Sequence, residues 1–243
     1  MRIFQYDEIV TPNILDRLKS EVEIMNTLMD RNAWVGLHDQ PDNAIEQFIL
    51  DSYDFHFADK CNNVVGFEWW IHVVEKSNHM LRFHADHDED LRLKENEMKY
   101  PMLGTCLYLD EDSNPTIFLN TQQTSKYEKQ IEPFPPTNAV FSYADQGKFL
   151  VYDPTYIHGI LPGSDKQITL WYDVWSYKPD NLQRVGVSRP IIERPTYKMK
   201  KIKEPVLYLG KTVSLGMDVH QRPITLKGPH GVQSMGSLWN VSQ

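Results

Sequence analysis

The sequence predicts a mainly β protein, a sandwich, jelly roll or barrel, with helices laid over one outer face. Three observations carry this expectation. From about residue 64 to residue 175 the chain breaks into short runs rich in Val, Ile, Thr, Phe, Tyr and Trp. Turn-forming clusters such as Asp112-Ser113-Asn114-Pro115 and Asp145-Gln146-Gly147 separate those runs. Ahead of them lie two segments whose apolar residues recur at helical spacing. Many short strands need a second sheet, or closure, because each sheet has an apolar face to bury.

Residues 3–10 read as a short, interrupted strand. Thr11-Pro12 then opens the first helix, with threonine as N-cap and proline at the first helical position, where its missing N–H costs nothing. Ile14, Leu18, Val22, Met25 and Met29 share one face, while Asp16, Lys19, Glu23 and Asn26 fall mostly on the other. Asp42-Asn43 caps a second helix, in which Ile45, Phe48, Ile49 and Tyr53 share a face. Core packing explains these faces better than a partner or cofactor site, so both helices are given a supporting role. The expected strands are 67–74, 79–86, 103–109, 116–120, 139–143, 148–152 and 167–175. Beyond them, scattered prolines (Pro190, Pro195, Pro205, Pro223, Pro229) loosen the pattern into an extension that wraps the core or serves association. The basic run over residues 198–203 reads as a solvated strand or hairpin edge, where lysines discourage edge-to-edge pairing.

Composition narrows the function. The 243 residues suffice for one well-cored domain with an extension, and 41% hydrophobic and 12% aromatic content suit a soluble globular chain. A net charge of −8 argues against a nucleic-acid partner. No apolar run approaches a membrane span, and the first eight residues do not form a signal peptide. Cys61 and Cys106 are too few for a disulfide framework, so a reducing, cytoplasmic setting is expected.

The chemistry gathers around residues 80–86. In an extended strand, residues two apart point to one side, so Arg82, His84 and Asp86 are expected to project together. An imidazole and a carboxylate so placed are two ligands of the 2-His-1-carboxylate triad, which holds non-haem iron(II) and leaves positions open. The best third ligand is His158, which follows the strand-to-turn segment 147–153. Taken singly, each histidine reads as a half-buried structural residue; the aspartate and the motif surroundings weigh for a metal. His87, Asp88, Glu89 and Asp90 read as a solvated acidic loop, and His72 and His79 as structural. Trp69, Trp70, Trp171 and Trp175 are expected to fill the barrel, with Trp171 on the face of Gln167 and Thr169.

These pieces resemble the Fe(II)/2-oxoglutarate-dependent oxygenases, in particular their prolyl-hydroxylase-like branch. His84-Ala85-Asp86 matches the family's H-x-D, and His158-Gly159-Ile160-Leu161-Pro162 its "H-G-v-l-P". Between them, residues 100–109 and Asn114-Pro115-Thr116 resemble the tyrosine-bearing strand and the "G-G-P-T" turn. The likeness covers residues 64–176. It implies a double-stranded β-helix (jelly roll) as the catalytic core over 64–179, which leaves the supporting helices to 1–63 and the C-terminal extension to 180–243. It also implies Fe(II) on His84, Asp86 and His158, with 2-oxoglutarate and O2 as co-substrates, yielding succinate and CO2. The substrate would be an amino acid, peptide or small metabolite oxidised at a C–H bond; the intact Asp86 favours hydroxylation, desaturation or cyclisation over halogenation.

One departure stands out. Gln167 occupies the position where the family carries an arginine or lysine for the distal carboxylate of 2-oxoglutarate, and an amide cannot make that charge-assisted bond. Lys166, one residue away, would point to the opposite face. Arg82, helped by Thr169 and Tyr108 as donors, is therefore the expected anchor. A non-catalytic metal-binding jelly roll, and an iron oxygenase that does not use 2-oxoglutarate, stay open as alternatives.

Overall fold

The computed structural model describes residues 3–7, 9–74, 81–111, 115–123, 131–132, 136–160 and 167–186, and the backbone of 206–208, 213–217 and 223–226. Strand β1 (Ile3–Tyr6) leads into helix α1 (Pro12–Leu28), then β2 (Ala33–Gly36) and α2 (Ala44–His56). The core follows as β3 (Gly66–Val74), β4 (Leu81–His84), a short helix α3 (Glu89–Glu95), β5 (Leu103–Tyr108), β6 (Thr116–Gln123) and β7 (Ile131–Glu132). It continues through β8 (Asn138–Ser142), β9 (Phe149–Tyr152), β10 (Tyr156–Ile160) and β11 (Gln167–Trp175). Strands β12 (Val206–Tyr208), β13 (Val213–Met217) and β14 (Pro223–Leu226) close the described chain.

Two antiparallel sheets face each other. One has the order β1-β9-β5-β11-β3-β2, the other β12-β8-β6-β10-β4 with β7 beside β6. From β3 to β6 successive strands alternate between the sheets, and from β8 to β11 they do so again. Pairing β3 with β11, β4 with β10, β5 with β9 and β6 with β8 is the strand order of a double-stranded β-helix. The jelly roll expected from the motifs is present.

Period-two alternation sorts the side chains of the first sheet. Ile168, Leu170, Tyr172 and Val174 of β11 join Phe67 and Trp69 of β3 under the helices, in one buried cluster with Leu18, Val22 and Met25 of α1 and Phe48 and Ile49 of α2. Phe48 packs edge-on against Phe149 and Tyr172, and Ser52 meets the Tyr172 hydroxyl at 2.9 Å. Asn43 caps α2 by accepting from the Glu46 N–H at 2.8 Å, and Glu46 returns the bond to the Asp42 N–H. The supporting role of both helices follows from this packing. The other face of the sheet looks into the sandwich and carries Trp70, Trp171, Cys106, Tyr108, Leu150 and Tyr152.

Four expectations need correction. Trp69 lies under the helices, not inside the barrel, because it is out of phase with Trp70. His158 follows a turn, as expected, but sits within a strand, β10, that the expected strands left out. Strand β4 stops at His84, so Asp86 lies beyond the ladder. The acidic loop is largely helix α3, capped by Asp88, whose carboxylate accepts from the Leu91 N–H at 2.9 Å. Gly159 lets β10 pass close to β4, since a Cβ there would meet the Leu81 carbonyl oxygen at 2.7 Å. In the C-terminal part, β12 adds to β8 at the edge of the second sheet, and β13 pairs with β14 and runs against β4. The Arg82 side chain, His79, the Leu161-Pro162 end of the second motif, Lys166 and the basic run 198–203 lie outside the described residues. Among the described residues no helix is long and apolar enough to cross a membrane.

Candidate metal centre

Strands β4 and β10 are neighbours, and His84 and His158 are direct cross-strand partners. Both imidazoles turn inward, with ring centroids 4.7 Å apart. Asp86 is tied to the start of β10 by its N–H, which donates to the Pro154 carbonyl at 3.1 Å. Its Oδ1 then lies 3.5 Å from Nε2 of each histidine. Ligand atoms of His84, Asp86 and His158 all fall within 4.8 Å of one another. Among the described residues no other group of His, Cys, Asp and Glu has this spacing.

Each of the three side chains presents an atom of the kind that ligates a metal. His158 is fully buried, stacked between Phe118 at 5.5 Å and Trp171 at 5.9 Å. Its Nδ1 lies 3.0 Å from the Tyr156 carbonyl, which fixes the proton there and leaves the Nε2 lone pair facing the site. Burial, with His84 close by, pushes its pKa down to about 4 despite the pull of Asp86, so the ring is neutral at neutral pH. Burial alone would raise Asp86, but His158, His84 and the Tyr152 hydroxyl together hold it below its ordinary value. That hydroxyl donates to Asp86 Oδ2 at 2.9 Å, leaving Oδ1 toward the histidines. Gly104 makes room for it, because any Cβ there would strike the Tyr152 ring at 2.5 Å. Two imidazole nitrogens and a carboxylate on one side, with solvent on the other, fit a divalent iron with open positions.

Cross-strand register arranges the inner face of the first sheet in rows. Glu68, Asp173, Gly104 and Tyr152 form the row nearest the triad. Trp70, Trp171, Cys106 and Leu150 form the second. His72, Thr169, Tyr108 and Lys148 form the third, where the Tyr108 N–H donates to the Lys148 carbonyl. The three described residues expected to hold 2-oxoglutarate, Tyr108, Thr169 and Gln167, thus lie at the deep end, beyond the tryptophan row. Tyr108's hydroxyl is 2.6 Å from Thr116 Oγ1 and 3.1 Å from the Ser142 carbonyl. Thr169 Oγ1 accepts from the Trp171 indole N–H at 2.7 Å, and Gln167 is fully buried. Around Arg82 the register of β4 against β10 slips by one residue between Leu81 and His84, so two-residue alternation no longer places it beside His84.

A cleft of about 420 Å³ opens on the triad, walled by His84, Asp86, Glu68, Asp173, Trp70 and Arg92. A cavity of about 550 Å³ between the start of α1 and the Asp145–Gly147 turn contains no triad residue. His87 faces the cleft but bonds Ala85 O and Glu89, each at 2.9 Å. Sequence reasoning missed Tyr152, Lys148, Glu68 and Asp173. The signal was present for two of them: a carboxylate at every second place among tryptophans, in Glu68-Trp69-Trp70 and Trp171-Tyr172-Asp173, marks the face shared with Gln167.

No family model matches this chain, and no curated protein does. Among solved structures, a prolyl-4-hydroxylase from Pseudomonas putida aligns over 71% of this chain and 87% of its own, at 14% identity and a TM-score of 0.49. A viral collagen prolyl hydroxylase from Paramecium bursaria Chlorella virus-1 aligns over 73% and 91%, at 13% identity and 0.48. HygX from Streptomyces hygroscopicus aligns over 82% and 92%, at 10% identity and 0.45. Likenesses this slight add nothing to the strand order, which carries the fold by itself. In that order and in its His-x-Asp and His triad, the chain resembles the prolyl-hydroxylase-like branch of the Fe(II)/2-oxoglutarate oxygenases.

Proposed function

We propose that this protein is a non-haem iron(II) oxygenase that uses 2-oxoglutarate and O2 to oxidise a C–H bond of a small-molecule or peptidyl substrate. The observation that carries the reading is the cross-strand pair His84 and His158 with Asp86 between them, at the mouth of a cleft. Iron held there would supply oxygen activation. The chain's own residues do the positioning. His158 donates its Nδ1–H to the Tyr156 carbonyl, Tyr152 orients the carboxylate, and Phe118 and Trp171 exclude water from the buried imidazole. At the deep end, Tyr108 and Thr169 share a row with Lys148, a residue only 7% exposed whose ammonium donates to the Tyr143 carbonyl at 2.6 Å. A cation in this row supports a seat for the far carboxylate of the oxo acid, in place of the one missing at Gln167.

One observation favours a second reading, an iron oxygenase that draws its electrons from its own substrate. The Trp171 indole stacks on His158 and bonds Thr169, filling the path from the triad to the third row. Anaerobic titration separates the two. Adding 2-oxoglutarate to the Fe(II) protein should raise a weak visible charge-transfer band, and Lys148→Met should weaken the oxo acid by about ten- to a hundredfold. Tight iron binding without the band would favour the second reading. Failure to bind iron would sink both.

A further inference from the structure

We infer that the cleft beside the triad takes a cationic substrate group, an ammonium or a guanidinium, with Asp173 as its buried anchor and Glu68 beside it. This deepens the oxygenase reading and rests on it, since it names what is held next to the proposed iron. Asp173 and Glu68 are direct cross-strand partners on the inner faces of β11 and β3, in the row nearest the triad. Both wall the cleft. Asp173 is 2% exposed, and its Oδ1 has no hydrogen-bond partner among the described residues.

Among the described residues, neutral donors alone serve Glu68: the Asn32 amide at 2.7 Å and the Trp175 indole at 3.1 Å. Among the described residues, no lysine or arginine forms an ion pair with either carboxylate. The arginine that walls the cleft, Arg92, is gripped by Glu89, its Nε donating at 2.7 Å and its Nη2 also in contact. A divalent ion on the triad would offset Asp86, which still leaves the buried Asp173 carboxylate beside the half-buried Glu68.

Burying a charge unpaired is strongly disfavoured, so a fold that keeps Asp173 in the cleft wall with a second carboxylate beside it gains when a cation arrives. The Trp70 indole, stacked on Trp171 at 6.2 Å and 6°, adds a flat wall that suits an alkyl-ammonium stem or a guanidinium plane. The competing explanation is that the two carboxylates share protons and the cleft holds a neutral group.

The test uses protein loaded with Mn(II) under nitrogen and four probes of similar length: n-butylammonium, n-butylguanidinium, 1-pentanol and valerate. Binding is read from tryptophan fluorescence and from the water-proton relaxation of the bound Mn(II). At least one cation should bind saturably and more tightly than pentanol or valerate. Asp173→Asn should weaken it by about ten- to a hundredfold, with Glu68→Gln weakening it less. Both variants should melt no lower than the parent, which keeps misfolding out of the comparison. The inference is overturned if Asp173→Asn leaves cation affinity unchanged, or if pentanol or valerate binds as well as the cations. If Mn(II) does not bind, the oxygenase reading falls. The fluorescence titration of the metal-free protein still decides the cleft.

Discussion

Tyr152 shows how much of a candidate metal site lies in residues outside the three that would hold the ion. Its hydroxyl takes one oxygen of Asp86 and turns the other toward His84 and His158. Tyr152→Phe is expected to keep the fold and to weaken Fe(II) by about ten- to a hundredfold, measured by competition with a chelator. Unchanged affinity would reduce Tyr152 to a packing residue. At this scale the sequence was legible where chemistry sits in short local motifs, which is why His84, Asp86 and His158 could be named. It was not legible where a partner is set by register. Tyr152 reaches Asp86 only because β9 lies two strands from β11, with Gly104 between, and Lys148 joins Tyr108 and Thr169 through the same pairing. Alternation is also a weak guide to Arg82, since the register slips between Leu81 and His84 and breaks the two-residue period that the argument needed.

The elements were read well where their period is long and clean. Helix α2 shows this: Ile45, Phe48, Ile49 and Tyr53 at helical spacing are all buried, and the predicted Asn43 cap is made. Phe48→Ala should cost about 3–5 kcal/mol in urea denaturation, because Phe149 and Tyr172 cannot close over the gap. Iron affinity per folded molecule should not change, since the helix lies on the face of the sheet away from the triad. A selective loss of iron with normal stability would show that the helical layer reaches the site. Shorter elements were missed for physical reasons. Strand β10 carries a histidine and a glycine at its centre, and neither looks like strand until β4 and β6 pair with it. Strand β2 has four residues, too few to show a period, and owes its existence to pairing with β3.

Across the whole molecule, buried ionisable groups set opposing pH responses in the metal-free state. His56 is held down to about 4 by burial and Lys60, and His158 to about 4 by burial and His84. Unfolded histidines titrate near 6.5, so the stability these two contribute is complete above about pH 6.5 and is lost as pH falls toward 4. Glu68, pushed up to about 7 by burial, and Asp173, raised by burial and by Asp86 and Glu68, act in reverse. Their contribution is present in acid and is lost as pH rises from the ordinary carboxylate range toward 7. The Glu68→Gln/Asp173→Asn double variant should therefore gain stability steadily from pH 4 to 6.5, by up to about 1.4 kcal/mol per pH unit for each histidine. A flat profile would mean that the buried histidines are not held neutral. Everything proposed for this fold depends on three side chains acting as one site. That is measured most directly by anaerobic equilibrium binding of Fe(II) to the parent protein and to His84→Ala, Asp86→Ala and His158→Ala, each checked for folding. One Fe(II) per chain is expected, with each folded variant losing at least about a hundredfold in affinity. A folded His158→Ala protein that binds iron as tightly as the parent would contradict the metal centre and the function built on it.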